Sequence, residues 1–412
     1  MALNDIYFEK QNGGMARRAE SDDPVSALLF GLDMAISPND EIYKNGFISL
    51  KDGLYIKKLK YVEELDALGI VNTPFTAGVE LTDREMTINF IHYHCKEFFK
   101  YSPKGTLYLA IHPNVVTGES VYQLQRYANG IIRQVGIASP SVEGANIGDL
   151  VTEYNEVANR LSEEHMPLSV IIGLDGSVCG SLNDLKESTT YKQNAPAVSL
   201  CIAKDLDAQL TNEQMTHGFA DIADVGTITG CVSAASVHES VAWVAKFPIE
   251  VSVPGIVTGD ALKDLKAVDL DLLDDARMIF YRTHVGVENV YYNNSHTMTE
   301  PTSDYAYIEN VRTMDKAVRG IRTNLLPYLS SPLKVDATTG YLSADTVAVL
   351  ETVAGCALED MERLGELSGY KVEIDREQNV LSTSSLEIVI KNVPLGVMRR
   401  VTVKIGFTQK IN

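Results

Sequence analysis

The 412-residue chain carries a formal net charge of −19 and has a sequence pI near 4.9. A field of that sign repels phosphate backbones and anionic lipid, so the composition excludes a general nucleic-acid-binding or membrane-surface role. Hydrophobic residues at 45% and charged residues at 22% fit a globular protein of two or three domains, and no run approaches the about 18 unbroken apolar residues of a membrane span.

The first residues, MALNDIYFEK, lack the apolar core of a secretion signal. QNGGMARRAESDDP is polar, glycine-bearing and rich in charge, which predicts a flexible N-terminal arm over residues 1–25. The apolar VSALLFGLDMAI follows, then a mixed segment to about Gly105 with turn signals at Lys51-Asp52-Gly53 and Thr73-Pro74. From Thr106 onward strands and helices alternate. TLYLAIHP, VGIASP, PLSVIIGLDG and PAVSLCIAKD are short β-rich apolar runs and predict strands. ESVYQLQRYANGII and IGDLVTEYNEVANRLSEEH predict helices; in the second, Leu150, Tyr154, Val157 and Leu161 recur at steps of four, three and four. The alternation predicts a parallel or mixed α/β sheet, on which the small-residue-rich TITGCVSAASVHESVAWVAKF packs as a helix.

After about Asp260 the acidic stretch DLKAVDLDLLDDARM leads to an expected strand at MIFYRTHVG and a turn-rich loop, YYNNSHTMTEPTSD. A long helix is predicted from about Asp304 to Leu329, with Tyr307, Val311, Met314, Val318, Ile321 and Leu325 as its apolar stripe and Thr302 or Ser303 as its N-cap. A second helix begins near Ser343, striped by Val347, Leu350, Val353, Ala357, Met361 and Leu364. YKVEID and SLEIVIKNV read as strands flanking the polar turn REQN. After Pro394-Leu395-Gly396, Val397, Arg399, Val401, Val403, Ile405 and Phe407 alternate with Met398, Arg400, Thr402 and Lys404, the period of a strand.

Sites of chemistry are few. His92, His94 and Cys95 resemble part of a metal cluster, but no second cluster at fitting spacing completes four ligands, and a half-buried strand edge is the expectation. GLDGSVCGS (Gly173 to Ser181) follows a strand yet has neither a dinucleotide fingerprint nor a Walker lysine, so a plain loop is expected. His217, Asp221, Asp224, His238, Glu239 and Ser240 lack a nucleophile elbow or a second zinc-binding histidine and are read as solvated helix termini. The Asn293-Asn294-Ser295 triplet is read as chance, Trp243 as core, and Asp269, Asp271, Asp274 and Asp275 as a solvated face, since no EF-hand pattern surrounds them. Cys95, Cys179, Cys201, Cys231 and Cys356 form no C-x-x-C pair, which predicts buried free thiols in a reducing compartment. No catalytic, cofactor-binding or metal-binding residues are assigned.

The ordered set PTSDYAYIENVRTMDKAVRGIRTNLLPYL, GYLSADTVAVLE and GELSGYKVEIDREQNVLSTSSLEIVIKNVPLGVMRRVTVKIGF resembles the C-terminal region of contractile phage tail sheath proteins, of a branch from Bacteroides-type hosts. The resemblance covers roughly the last third of the chain. It implies an α/β (α+β overall) architecture: an N-terminal arm (1–25), an inner-domain contribution and connection (26–100), an α/β outer domain (101–270), a C-terminal inner sheath domain (271–395) and a C-terminal β-strand arm (396–412). Strand physics alone leaves two roles for the last strand, completing its own sheet or joining a neighbour's; the resemblance implies the second. Helical self-assembly around an inner tail tube protein, with baseplate and tail terminator proteins at the ends, is implied too, in a virion tail assembled in the host bacterial cytoplasm. No cofactor, nucleic acid or membrane partner is implied. Arg312, Lys316, Arg319 and Arg322 recur at steps of four, three and three along the long helix, and read either as a solvated face or as a ridge facing acidic groups of the tube. The alternatives are the sheath of a bacterial contractile injection system or tailocin, and an α/β enzyme without a recognisable motif.

Overall fold

A computed structural model describes residues 23–51, 53–74, 81–139, 146–207 and 221–407. Most of the expected N-terminal arm (1–22), Asp52 of the first turn signal, His217 and residues 408–412 lie outside these.

The main layer is a seven-stranded sheet of β1 (Val25–Gly31), β2 (Ile48–Ser49), β3 (Tyr55–Leu59), β4 (Thr106–His112), β5 (Gln134–Ala138), β6 (Ser169–Gly173) and β7 (Val198–Cys201), in spatial order β2-β3-β4-β1-β5-β6-β7. β4, β1, β5, β6 and β7 run parallel; β3 lies antiparallel on β4, and β2 on β3. Every residue of β1, β5, β6 and β7 is buried, as a strand covered on both faces requires. The cover comes from α1 (Glu64–Leu68), α2 (Asp83–Tyr101), α3 (Gly118–Tyr127), α4 (Ile147–Glu163), the short α5 (Gly176–Cys179) and α6 (Leu182–Lys186), and α7 (Val225–Ala234). α7 packs on β1, β5, β6 and α2, while α3 packs on α4 and α4 on β6 and β7. Val25–Gly31, at the start of the segment expected as an inner-domain contribution and connection (26–100), pairs in register with Thr106–His112 and lies at the centre of the sheet. The reason is its unbroken apolar run, which only a doubly covered strand can bury.

Beyond β7, β8 (Ala203–Asp205) pairs with β9 (Pro254–Ile256), α8 (Ala267–Asp275) occupies the acidic stretch, and β10 (Tyr281–Arg282) pairs with β11 (Tyr291–Tyr292). The expected strand MIFYRTHVG is thus reduced to two paired residues plus a parallel bridge from Ile279 to Cys201. One continuous core runs from Val25 to Ile308.

The C-terminal third forms α9 (Ile308–Leu325), α10 (Ala344–Arg363) and a two-stranded antiparallel hairpin of β12 (Leu367–Glu373) and β13 (Val389–Pro394). It has two small cores, Ala317, Leu358, Met361 and Leu367, and Leu342, Val347, Leu350 and Ile374. α10 begins as expected at Ser343, whose hydroxyl accepts from Thr346 N at 3.2 Å. Its packed face is Val347, Leu350, Ala354, Leu358 and Met361, so the stripe shifts by one residue after Leu350. α9 starts at Tyr307 without a side-chain cap, not at Thr302 or Ser303. Ser303 instead closes a turn, its hydroxyl accepting from Tyr305 N at 3.2 Å. On α9 Val311 is buried but Val318 is half-exposed, so the lower end of its stripe faces outward.

Candidate assembly interface

The residues weighed for metal or catalytic chemistry are built into the core. His92, His94 and Cys95 lie on α2, not on a strand. The signal for that helix is the capping box Thr82-x-x-Glu85, where Thr82 N donates to Glu85 Oε2 at 2.9 Å and Glu85 N donates to Thr82 Oγ1 at 3.3 Å. His94 is fully buried against Phe30 and Phe90, its Nδ1 accepts from Gly226 N at 3.3 Å, and burial lowers its pKa to about 3. Among the described residues no group of three His, Cys, Asp or Glu could hold a metal ion.

The expected solvated helix termini include two buried groups. Asp224 is 2% exposed and accepts from Asp205 N at 2.6 Å and Tyr281 Oη at 3.1 Å; Ser240 is buried beside Ser295, Oγ to Oγ 3.2 Å. The predicted helix from Thr227 to Phe247 ends at Ala234, where the backbone turns extended at Ala235 and the Arg312 guanidinium donates to the freed carbonyls of Ala235 at 3.2 Å and Ser236 at 3.4 Å. Trp243, expected in the core, is half-exposed. In the Asn293-Asn294-Ser295 triplet, Asn293 serves the fold, accepting from Phe280 N at 2.9 Å and donating to Asp274 at 2.7 Å. Asp269 meets Lys186 at 2.7 Å and Asp274 meets His296 at 2.8 Å, so only part of the acidic stretch is a solvated face. Cys95, Cys179, Cys201 and Cys231 are buried and Cys356 is exposed, all unbridged.

Burial raises the Asp224 pKa to about 6, against Lys204 and the hydrogen bonds it accepts. An unfolded aspartate releases its proton near pH 4, so between about pH 4 and 6 the native state binds more protons, and stability falls as pH rises through that window. Asp224→Asn is expected to gain about 2–3 kcal/mol relative to the wild type between those pH values, read from denaturant unfolding at each pH. Parallel pH profiles for the two proteins would contradict it.

The basic ridge on α9 faces inward for most of its length. Arg312 is 4% exposed, and burial lowers its pKa. Lys316 Nζ lies 2.6 Å from Asp23 and 2.7 Å from Glu366; Arg319 lies 3.8 Å from Asp23, and burial beside Arg133 lowers its pKa to about 10. Lys316, Arg319 and the exposed Arg322 line a cleft of about 1130 Å³, opposite Lys104 and Arg133 of the α/β body. The cations thus hold the root of the N-terminal segment to α9.

The expected inter-subunit strand is the most exposed apolar segment described. Residues 395–407 join no ladder with the described part of their own subunit. Met398 is 80% exposed, Val403 76%, Ile405 95% and Phe407 fully exposed, with Val401 similar and Val397 half-buried. Among the described residues, Arg399 alone ties the segment down by hydrogen bonds and an ion pair, to Asn294 and Glu309, and stacks on Tyr307. Next to it in sequence stands the β12–β13 hairpin. Both outer edges of that hairpin are unpaired among the described residues, and Val389 and Val393 are exposed. Two-stranded hairpins are marginal alone, and open edges invite further strands.

No curated protein sequence matches the chain. Among solved structures, it is similar over its whole length to a chain of the anti-feeding prophage helical sheath in the contracted state, with TM-score 0.58, 16% identity and 100% of each chain covered. A chain of the six-fold-symmetrised anti-feeding prophage baseplate gives TM-score 0.57 and 14% identity, again with 100% of each covered. A chain of the contracted sheath complex of PVC, an extracellular contractile injection system, gives TM-score 0.58 and 11% identity, covering 100% of this chain and 98% of that one. The fold is therefore that of these chains. Two sequence profiles also match: DUF2586, N-terminal domain, over residues 95–296, and DUF2586, C-terminal domain, over residues 304–412. The profiles take the two domains of one family in order along the chain, and the chain belongs to the DUF2586 family.

Proposed function

We propose that the chain is the repeating subunit of a contractile sheath that polymerises helically around an inner tube and shortens to drive the tube through a cell envelope. The observation that carries this reading is the unpaired apolar arm beside an open-edged hairpin, on a fold shared end to end with sheath chains. Strand addition joins the two: the arm of one subunit extends the hairpin of another, backbone hydrogen bonds hold it, and alternate side chains set the register. Because arm and hairpin are different surfaces, the contact is heterologous, and repeating it at every subunit builds a ring or an open helix; the proposed sheath takes the helix.

The C-terminal third, with its small cores and exposed apolar residues, is the inner, mesh-forming part in this reading. The α/β body is the outer part, to which residues 26–100 belong. Contraction is a rigid-body rearrangement in which the arms stay attached while the bodies rotate. The reading assigns no enzymatic step and no cofactor. An inner tube, a baseplate and a terminator are the partners. Of the α9 ridge, Arg322 is the member left to meet acidic groups of a tube. An injection-type particle is favoured over a phage tail because the fold relatives come from an extracellular injection system and the anti-feeding prophage.

The arm contact is testable by disulfide trapping in a Cys356→Ser background. Ile405→Cys is combined with Lys371→Cys on β12 or with Lys391→Cys on β13. Under assembly conditions, oxidation of one of these pairs is expected to give a ladder of covalent oligomers on a denaturing gel. Monomeric bands from both pairs would contradict strand addition.

A further inference from the structure

Arg399 stands where the arm leaves the subunit, and it is held there by three groups. Its Nη2 donates to Glu309 Oε1, its Nε donates to Asn294 Oδ1 at 3.1 Å, and its guanidinium carbon lies 3.4 Å from the centre of the Tyr307 ring. These partners come from the loop before α9, the residue that opens the helix and its first turn. Glu309 is 2% exposed, and its other carboxylate oxygen accepts from Ser295 Oγ at 2.6 Å, behind which stands Ser240. A planar fork stacked on an aromatic ring suits arginine and not lysine. Past this point, residues 400–407 make no hydrogen bond or ion pair with the described part of their own subunit.

We propose that Glu309, Tyr307 and Asn294 form a guanidinium seat that fixes the pivot of the C-terminal arm at Arg399. The proline-glycine turn at Pro394-Leu395-Gly396 is then not the hinge, and the swinging segment begins at Arg400. The pivot sets the reach: from Arg400 to Phe407 an extended chain spans about 23 Å, and a hinge at Gly396 adds roughly 13 Å. A buried carboxylate whose ion-pair partner rides on the arm is costly to strip, so the seat holds while the rest of the arm swings. Lys316 and Arg319, which hold Asp23, lie further along α9, so the roots of both terminal segments ride on one rigid helix.

This deepens the reading of the arm as an inter-subunit strand, but its test uses dispersed subunits and reads nothing from polymerisation. Trypsin cutting after Arg400 must draw out several residues on both sides, Arg399 included, whereas cutting after Lys404 lies beyond the seat and serves as the internal reference. Arg399→Gln and Glu309→Gln are each expected to raise the rate after Arg400, relative to that after Lys404, by about tenfold, and the double variant to go no further. Melting temperature reports whether Glu309→Gln folds; Arg399→Gln, on the arm itself, carries the test if it does not. An unchanged cleavage ratio in folded Arg399→Gln overturns the seat. A wild-type ratio that varies with protein concentration would put a neighbour's arginine in it and overturn the pivot; constancy on dilution supports it.

Discussion

A chain ending at Arg400 is expected to form no tubes, yet to melt within about 2 °C of the full-length subunit. The described part of what is removed, 401–407, leaves few contacts behind, since Val403, Ile405 and Phe407 are at least 76% exposed and the segment joins no ladder among the described residues. In a neighbour's sheet they matter more. About four backbone hydrogen bonds contribute about 1 kcal/mol each and the four side chains of the buried face about 2 kcal/mol each, against about 1.5 kcal/mol per residue for ordering eight residues. Gain and cost nearly cancel, so one link is weak and the lattice depends on every subunit repeating it. The site of the cut matters. Ending the chain at Gly396 also removes Arg399 and strips Glu309 of its ion-pair partner, which is expected to cost the subunit about 2–3 kcal/mol more. Thermal melting and sedimentation of both truncations read the difference. Early melting of the longer one would mean that the strand belongs to its own subunit's core.

The second large effect lies in the body. Gly226 and Gly230 face α2 so closely that a Cβ on Gly226 would stand 2.3 Å from His94 O, and one on Gly230 2.7 Å from Phe98 O. Both obstacles are helix backbone and cannot rotate aside. Gly226→Val combined with Gly230→Val is expected to cost about 3–6 kcal/mol, a large share of the about 5–15 kcal/mol that holds a domain, and to leave the protein largely insoluble. The check is soluble yield and denaturant midpoint beside those of Gly148→Val, where the nearest atoms are the ends of Gln193 and Asn146 side chains. Equal yields from the two would contradict close backbone packing.

Regular periods made much of this fold legible in the sequence. The short apolar runs became β4 to β8, and the three-four spacing of Leu150 to Leu161 became α4. The same reading placed α10 at Ser343 and the hairpin around its polar turn. Local pattern failed where a distant partner decides. VSALLFG reads as apolar without saying that it pairs with residues 106–112 at the centre of the sheet. α2 was missed because aromatic and polar residues blur its stripe, although its capping box was on view in Thr82 and Glu85. The predicted helix stops at Ala234, and the Arg312 guanidinium that meets the carbonyls at its end comes from far along the chain. The cation spacing on α9 was visible, but its partners Asp23 and Glu366 come from the two sides of the helix in sequence, and period alone does not say which way a charged face points. Val397 to Phe407 alternates as a strand whether or not it finds a partner in its own subunit, so its exposure emerged only from the fold.

The central claim is assembly, and the most direct measurement is electron microscopy of the purified, concentrated protein, alone and mixed with a candidate inner tube protein, over several salt concentrations. The account predicts hollow tubes of helically arrayed subunits for the full chain and none for the chain ending at Arg400. Dispersed single subunits of the folded full-length protein under every condition would contradict it.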